Sequence, residues 1–96
     1  MPYAIKENSF IARLAAKKLN ADNCAIVLGN TVHLYNASRN DFLQNKKWVL
    51  HEECHIAQFK KYGFLNFICR YLWESMNNGY QKNKYEIEAR NAENIS

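Results

Sequence analysis

From about Asn45 to Tyr62 the chain carries neither glycine nor proline, and Trp48, Val49, Ile56 and Phe59 recur at helical spacing together with two histidines. The stretch reads as one helix of about five turns, ended by Gly63. His51 and His55 stand four residues apart within it, so both project from one face about a turn apart. Whatever fold the chain adopts must shelter that face, and a pair of buried imidazoles without a shared partner is an expensive choice for a core.

The rest of the chain is arranged around this helix. Ser9 or Asn8 can cap an earlier helix running to about Leu19, with Phe10, Ile11, Leu14 and Ala15 on its apolar face and Ile5 available as a staple before the cap. Cys24–Leu28 and Thr31–Tyr35 are β-rich runs joined by Gly29-Asn30, which suits a two-residue hairpin turn with positive φ. Asn36 to Asp41 is polar and turn-like, and Phe42-Leu43 reads as a short edge segment. After Gly63, Phe64, Phe67, Ile68, Tyr71, Leu72 and Met76 mark a second amphipathic helix closed by Asn77-Asn78-Gly79. A last helix spans about Lys84 to Asn94. The expected class is α+β: a small antiparallel hairpin sheet packed on the histidine-bearing helix and further helices.

With 96 residues the chain is expected to form one domain, 1–96, with a limited core, a size at which a bound metal commonly adds stability. Hydrophobic residues make up 48% and charged residues 23%, a globular and not a disordered composition. Thirteen Lys and Arg against nine Asp and Glu give +4, but the excess is spread as short pairs such as Lys17-Lys18 and Lys60-Lys61, so no nucleic-acid partner is expected. Cys24, Cys54 and Cys69 lack zinc-ribbon spacing and the even count of a disulfide framework. No apolar run approaches the ~18 residues of a membrane span and the N-terminus lacks a signal-peptide pattern, so a cytoplasmic location and no membrane partner are expected.

The chemistry is carried by His51-Glu52-Glu53-Cys54-His55, an H-E-x-x-H pattern that uses two of only three histidines. Zn²⁺ takes imidazole nitrogen in a tetrahedral site, and catalytic sites use three protein ligands and leave one position to water. Glu52, next to the first ligand, lies beside the ion without ligating it, where a carboxylate can take a proton from that water. A third ligand is expected from Tyr85-Glu86-Ile87-Glu88-Ala89-Arg90, in which Glu86 and Glu88 are the candidates. They lie about 200° apart around a helix, so both cannot face the metal.

H-E-x-x-H followed by Glu on a later helix in the form E-x-x-A resembles the gluzincin metallopeptidases, especially their minimal single-domain versions, the minigluzincins. The resemblance spans about Thr31 to Glu93 and is carried by His51, Glu52, His55 and Glu86. It implies zinc held by His51, His55 and Glu86, with Ala89 as the small residue where two helices cross, and peptide hydrolysis with Glu52 as general base. Glu88 would put Asn91 at that crossing. The family often has Asp four residues after the ligand Glu to orient a zinc-bound histidine, and here that position is Arg90. Larger relatives supply an oxyanion donor from a Tyr or His, for which Tyr80 or Tyr85 stands here.

Cys54, about 60° around the helix from His51, reads as a small core residue in preference to a sulfur ligand, and His33 as a strand histidine, exposed or structurally satisfied, outside the site. Gln58, one turn beyond His55, either supports a ligand or is polar at the cleft edge. An extended peptide or protein substrate is expected to pair with an exposed strand edge, Thr31 to Tyr35 or the segment near Phe42. So little wall surrounds the site that a protein partner completing the cleft is a further expectation. The alternative reading is a catalytically silent or latent zinc-binding interaction module of the same fold.

Overall fold

The computed structural model describes residues 3–94, and these form an α+β fold of five helices and a three-stranded mixed sheet. The elements are β1 (Ala4–Lys6), α1 (Phe10–Leu19), β2 (Cys24–Leu28), β3 (Thr31–Tyr35), α2 (Arg39–Gln44), α3 (Lys46–Tyr62), α4 (Phe64–Lys82) and α5 (Lys84–Ala92). Strands β2 and β3 form the anticipated hairpin, in register Leu28↔Thr31, with Gly29 at φ +64° in the turn. The sheet has one strand more than the hairpin: β1 pairs parallel to β3, Ile5 facing Val32, so the order is β1-β3-β2. Ile5, read as a helix staple, is thus a strand residue.

Helix α1 connects β1 to the hairpin and packs on β2 and β3, but not through its larger apolar residues. Ala12 and Ala16 are buried, whereas Phe10, Ile11 and Leu14 are exposed. The cause lies at its start. Buried Ser9 accepts from the Ala12 amide, its Oγ lies 2.9 Å from His33 Nδ1, and its own amide donates to Leu34 O at 2.9 Å. These bonds clamp the helix start onto β3 and turn the small-residue stripe, which permits close approach, toward the sheet.

The segment near Phe42 is helical and not an edge strand. Ser38 and Asp41 form a reciprocal capping box over α2, which drives Phe42 fully into the core, edge-on to Trp48. Asn45 caps α3 through the Trp48 amide, and Gly63, at φ +84°, ends it. Val27, Val32 and Leu34 from the sheet meet Ile56 and Phe59 of α3, Phe67 of α4 and Tyr85 of α5 in one core. Gly79 departs from helical geometry (φ 79°, ψ 167°), so the main run of α4 stops at the Asn77-Asn78-Gly79 sequence. Fully buried Asn83 then joins α4 to α5: its Oδ1 caps the Tyr85 amide and its Nδ2 donates to Tyr71 O and Ser75 Oγ. Among the described residues no helix is long and apolar enough to cross a membrane.

Candidate metal centre

Helix α3 supplies His51 and His55, and α5 packs against it, with Ala89 fully buried and so presenting only a methyl group to its neighbours. This places Glu86 over the two rings. Its Oε1 lies 3.1 Å from His51 Nε2 and 3.2 Å from His55 Nε2, and the ring centroids are 5.1 Å apart. One ligating atom from each residue falls within 4.8 Å of the others. A tetrahedron with Zn–N and Zn–O bonds near 2.0–2.1 Å has edges of about 3.3 Å, so the two His–Glu separations are already those of a zinc site. Two neutral nitrogens and one carboxylate oxygen are also a donor set that zinc accepts.

The outward nitrogens of both rings are held as well. His51 Nδ1 lies 2.7 Å from Glu93 Oε2, and His55 Nδ1 lies 2.8 Å from Gln58 Oε1. The amide of Gln58 has a defined sense, because its Nε2 donates to Tyr85 O at 3.2 Å and to Glu88 Oε1 at 2.5 Å. Its Oε1 therefore accepts from His55 Nδ1–H, which leaves Nε2 facing the centre. The other oxygen of Glu86 accepts from the Tyr71 hydroxyl of α4, so three helices fix this carboxylate.

Charge follows from these contacts. Burial would lower the pKa of His51, but its hydrogen bonds to Glu86 and Glu93 and the nearby Glu52 charge outweigh it and raise it to about 9. Burial likewise opposes the charged form of His55, and Glu86 reverses the shift upward. Glu86 is pulled below the usual carboxylate range: burial works against this, but the hydrogen bonds from both histidines prevail. Glu52 is buried and takes part in none of the hydrogen bonds that link the histidines, Tyr71 and Glu86. Burial pushes its pKa to about 7, against the pull of the two histidines.

The remaining residues singled out in the sequence separate cleanly. Glu88 is not at the centre; it holds Gln58 beside a cavity of about 400 Å³ lined also by Cys54, Lys61 and Asn91. Cys54 is half-buried at that cavity, a thiol pushed up to about 11 by burial and then by Glu88 and Glu86. His33 is tied to Ser9. Tyr85 packs its ring against Phe67 and Tyr62 in the core. Tyr80 stays partly exposed, its hydroxyl pKa raised by burial and by the fields of Glu86 and Glu52. Arg90 turns away to Gln81 O, and Glu93, two turns beyond Glu86, provides the carboxylate that position 90 lacks.

Two residues of the centre, Tyr71 and Glu93, escape the sequence reading. In the sequence Tyr71 is only one member of an apolar face, while Glu93 is legible as the residue seven after Glu86 on the same helical face. The expected strand edge also moves: β3 is central in the sheet, paired with β2 over Thr31–Tyr35 and with β1 over Thr31–His33. The edge beside α3 is β2, whose Cys24 thiol is raised by burial and then by the charges of Glu52 and Glu86.

Together these features define an α+β domain with a preorganised His-His-Glu group able to hold a metal ion. No family model, curated protein or solved structure matches the chain.

Proposed function

We propose that the chain is a zinc-dependent metallopeptidase resembling the minimal gluzincins, with His51, His55 and Glu86 as ligands and Glu52 as general base. The observation that carries the reading is the convergence of both Nε2 atoms on one Glu86 oxygen while each Nδ1 is tied outward. When bound, zinc supplies a Lewis acid that polarises a peptide carbonyl and acidifies water.

The chain's own residues do the rest. The free edge of β2 pairs with an extended peptide and brings a carbonyl beside α3. Glu52, with a pKa near 7 in the metal-free chain, takes a proton on its carboxylate from the water that attacks the carbonyl carbon. It then returns that proton to the leaving amine. Tyr80, partly exposed and in the field of Glu52 and Glu86, is the hydroxyl available to hydrogen-bond the developing oxyanion. Glu93 and Gln58 hold the imidazoles in the ligating orientation.

The test is Glu52→Gln. The variant should bind zinc as the parent does and lose peptide hydrolysis; a variant as active as the parent refutes the mechanism. A parent that binds zinc tightly and cleaves no member of a diverse peptide library supports the alternative, a zinc-holding interaction module.

A further inference from the structure

Helix α4 carries apolar residues on two sides, and only one of them faces the protein. Phe67 and Glu74 point into the domain, whereas Leu65, Cys69, Leu72, Trp73 and Met76 are exposed. At 100° per residue these five fall in one stripe centred opposite Phe67. Met76 is 85% and Leu65 73% exposed, so the stripe is a ridge and not the rim of the core.

Beside the ridge lies a groove of about 430 Å³ between α4 and α5, lined by Asn66, Cys69, Arg70, Trp73, Glu74, Lys84 and Tyr85. Its two cations, Arg70 and Lys84, and Lys61 of the neighbouring cavity each lie over an aromatic ring. The Arg70 guanidinium sits 4.8 Å from the Tyr62 ring, the Lys84 ammonium 5.3 Å from Tyr85, and the Lys61 ammonium 5.3 Å from Tyr62. Those two rings pack on each other, so the three cations cluster on one side of the molecule. Helix α4 itself carries Arg70 and Lys82 against one acid, Glu74, and Lys84 follows at the start of α5; exposed Glu88 lies on the other side of α5, beside Lys61. Glu74 is buried, its Oε1 accepting from the Lys84 amide and Asn78 Nδ2.

We propose that this face docks on an anionic lipid bilayer, with Leu65, Leu72, Trp73 and Met76 entering the interface and headgroup phosphates seated by Arg70 and Lys84. An exposed Trp-bearing apolar stripe flanked by cations, on a helix too polar to cross a bilayer, is the pattern of a helix lying in a membrane interface. Charge decides between occupants. A second copy would bring the same cations into apposition, whereas an anionic surface attracts each of them. The sequence, read for spanning segments, suggested no membrane partner, and it is the outward rotation of this stripe that changes the reading. Because Tyr71 reaches Glu86 from the inner side of α4, docking leaves the His51–His55–Glu86 group off the lipid face.

The experiment is co-sedimentation of the full chain with phosphatidylserine–phosphatidylcholine vesicles and with phosphatidylcholine vesicles alone. The chain should sediment with the anionic vesicles, less as salt rises, and much less with the neutral ones. Arg70→Gln and Lys84→Gln should each weaken binding about five-fold, and Met76→Glu about ten-fold or more, with unchanged far-ultraviolet circular dichroism. Absence of sedimentation with anionic vesicles, or equal binding by Met76→Glu, overturns the proposal. So does a concentration-dependent dimer that Met76→Glu dissociates, which would assign the ridge to a second copy.

Discussion

Glu93 offers the sharpest check on how the centre is held. Its carboxylate meets His51 Nδ1 at 2.7 Å, the length of a charge-assisted hydrogen bond, and it stands where Arg90 denies the site an orienting acid. Removing the partner of a metal-binding histidine typically costs 10- to 100-fold in affinity, about 1.4–2.7 kcal/mol. The Glu93 side chain is 30% exposed, so water can take its place at Nδ1 and the low end of that range applies. Glu93→Ala should therefore weaken zinc binding about ten-fold, and Glu93→Gln, which keeps an acceptor oxygen, by about three-fold or less. Competition against a chromophoric chelator at fixed pH and salt reads both values, with thermal unfolding of the metal-free proteins as the folding control. An Ala variant that folds normally and binds zinc within about two-fold of the parent would refute the orienting role of Glu93.

Other consequences follow from the same geometry. In the metal-free chain His51 keeps its proton up to about 9, so zinc has to displace it at neutral pH. Affinity should rise with pH up to about 9 and each binding event should release about one proton or more near pH 7, measurable by calorimetry in buffers of different ionisation enthalpy; a pH-independent affinity contradicts this. Gln58→Leu leaves His55 Nδ1 without its acceptor and removes the donation to Tyr85 O and Glu88, and should lower zinc affinity about ten-fold or more in the same chelator competition. Asn83→Ala removes the α5 cap and the bonds to Tyr71 O and Ser75 Oγ, a loss of about 1–3 kcal/mol by urea unfolding.

The parts of this molecule visible in its sequence are those that local chemistry writes. Gly29-Asn30 sets the hairpin, Gly63 ends a helix, and the spacing of His51 and His55 puts two imidazoles on one face of α3. What the sequence hid was set by tertiary contact. The rotation of α1 depends on Ser9 reaching β3, 24 residues ahead at His33, and no periodicity within α1 records that. The capping box at Ser38 and Asp41 is a local signal that outweighs the apolar Phe42-Leu43 pair, which by itself reads as an edge segment. At the centre, helical phase says only that Glu86 and Glu88 cannot both face the histidines, and Tyr71 becomes legible only once α4 is laid against α5, since an apolar stripe does not say which hydroxyl it carries toward a carboxylate. Helix α4 also carries more apolar surface than the core can use, and only the packing shows which side is left outside.

The central claim is that His51, His55 and Glu86 hold one zinc ion, and elemental analysis of protein purified from zinc-supplemented cells tests it most directly. The account predicts about one zinc per chain, lost in His51→Ala and in Glu86→Ala and retained in Glu88→Ala. A parent chain that carries no stoichiometric zinc, or a His51→Ala chain that carries as much as the parent, would contradict it.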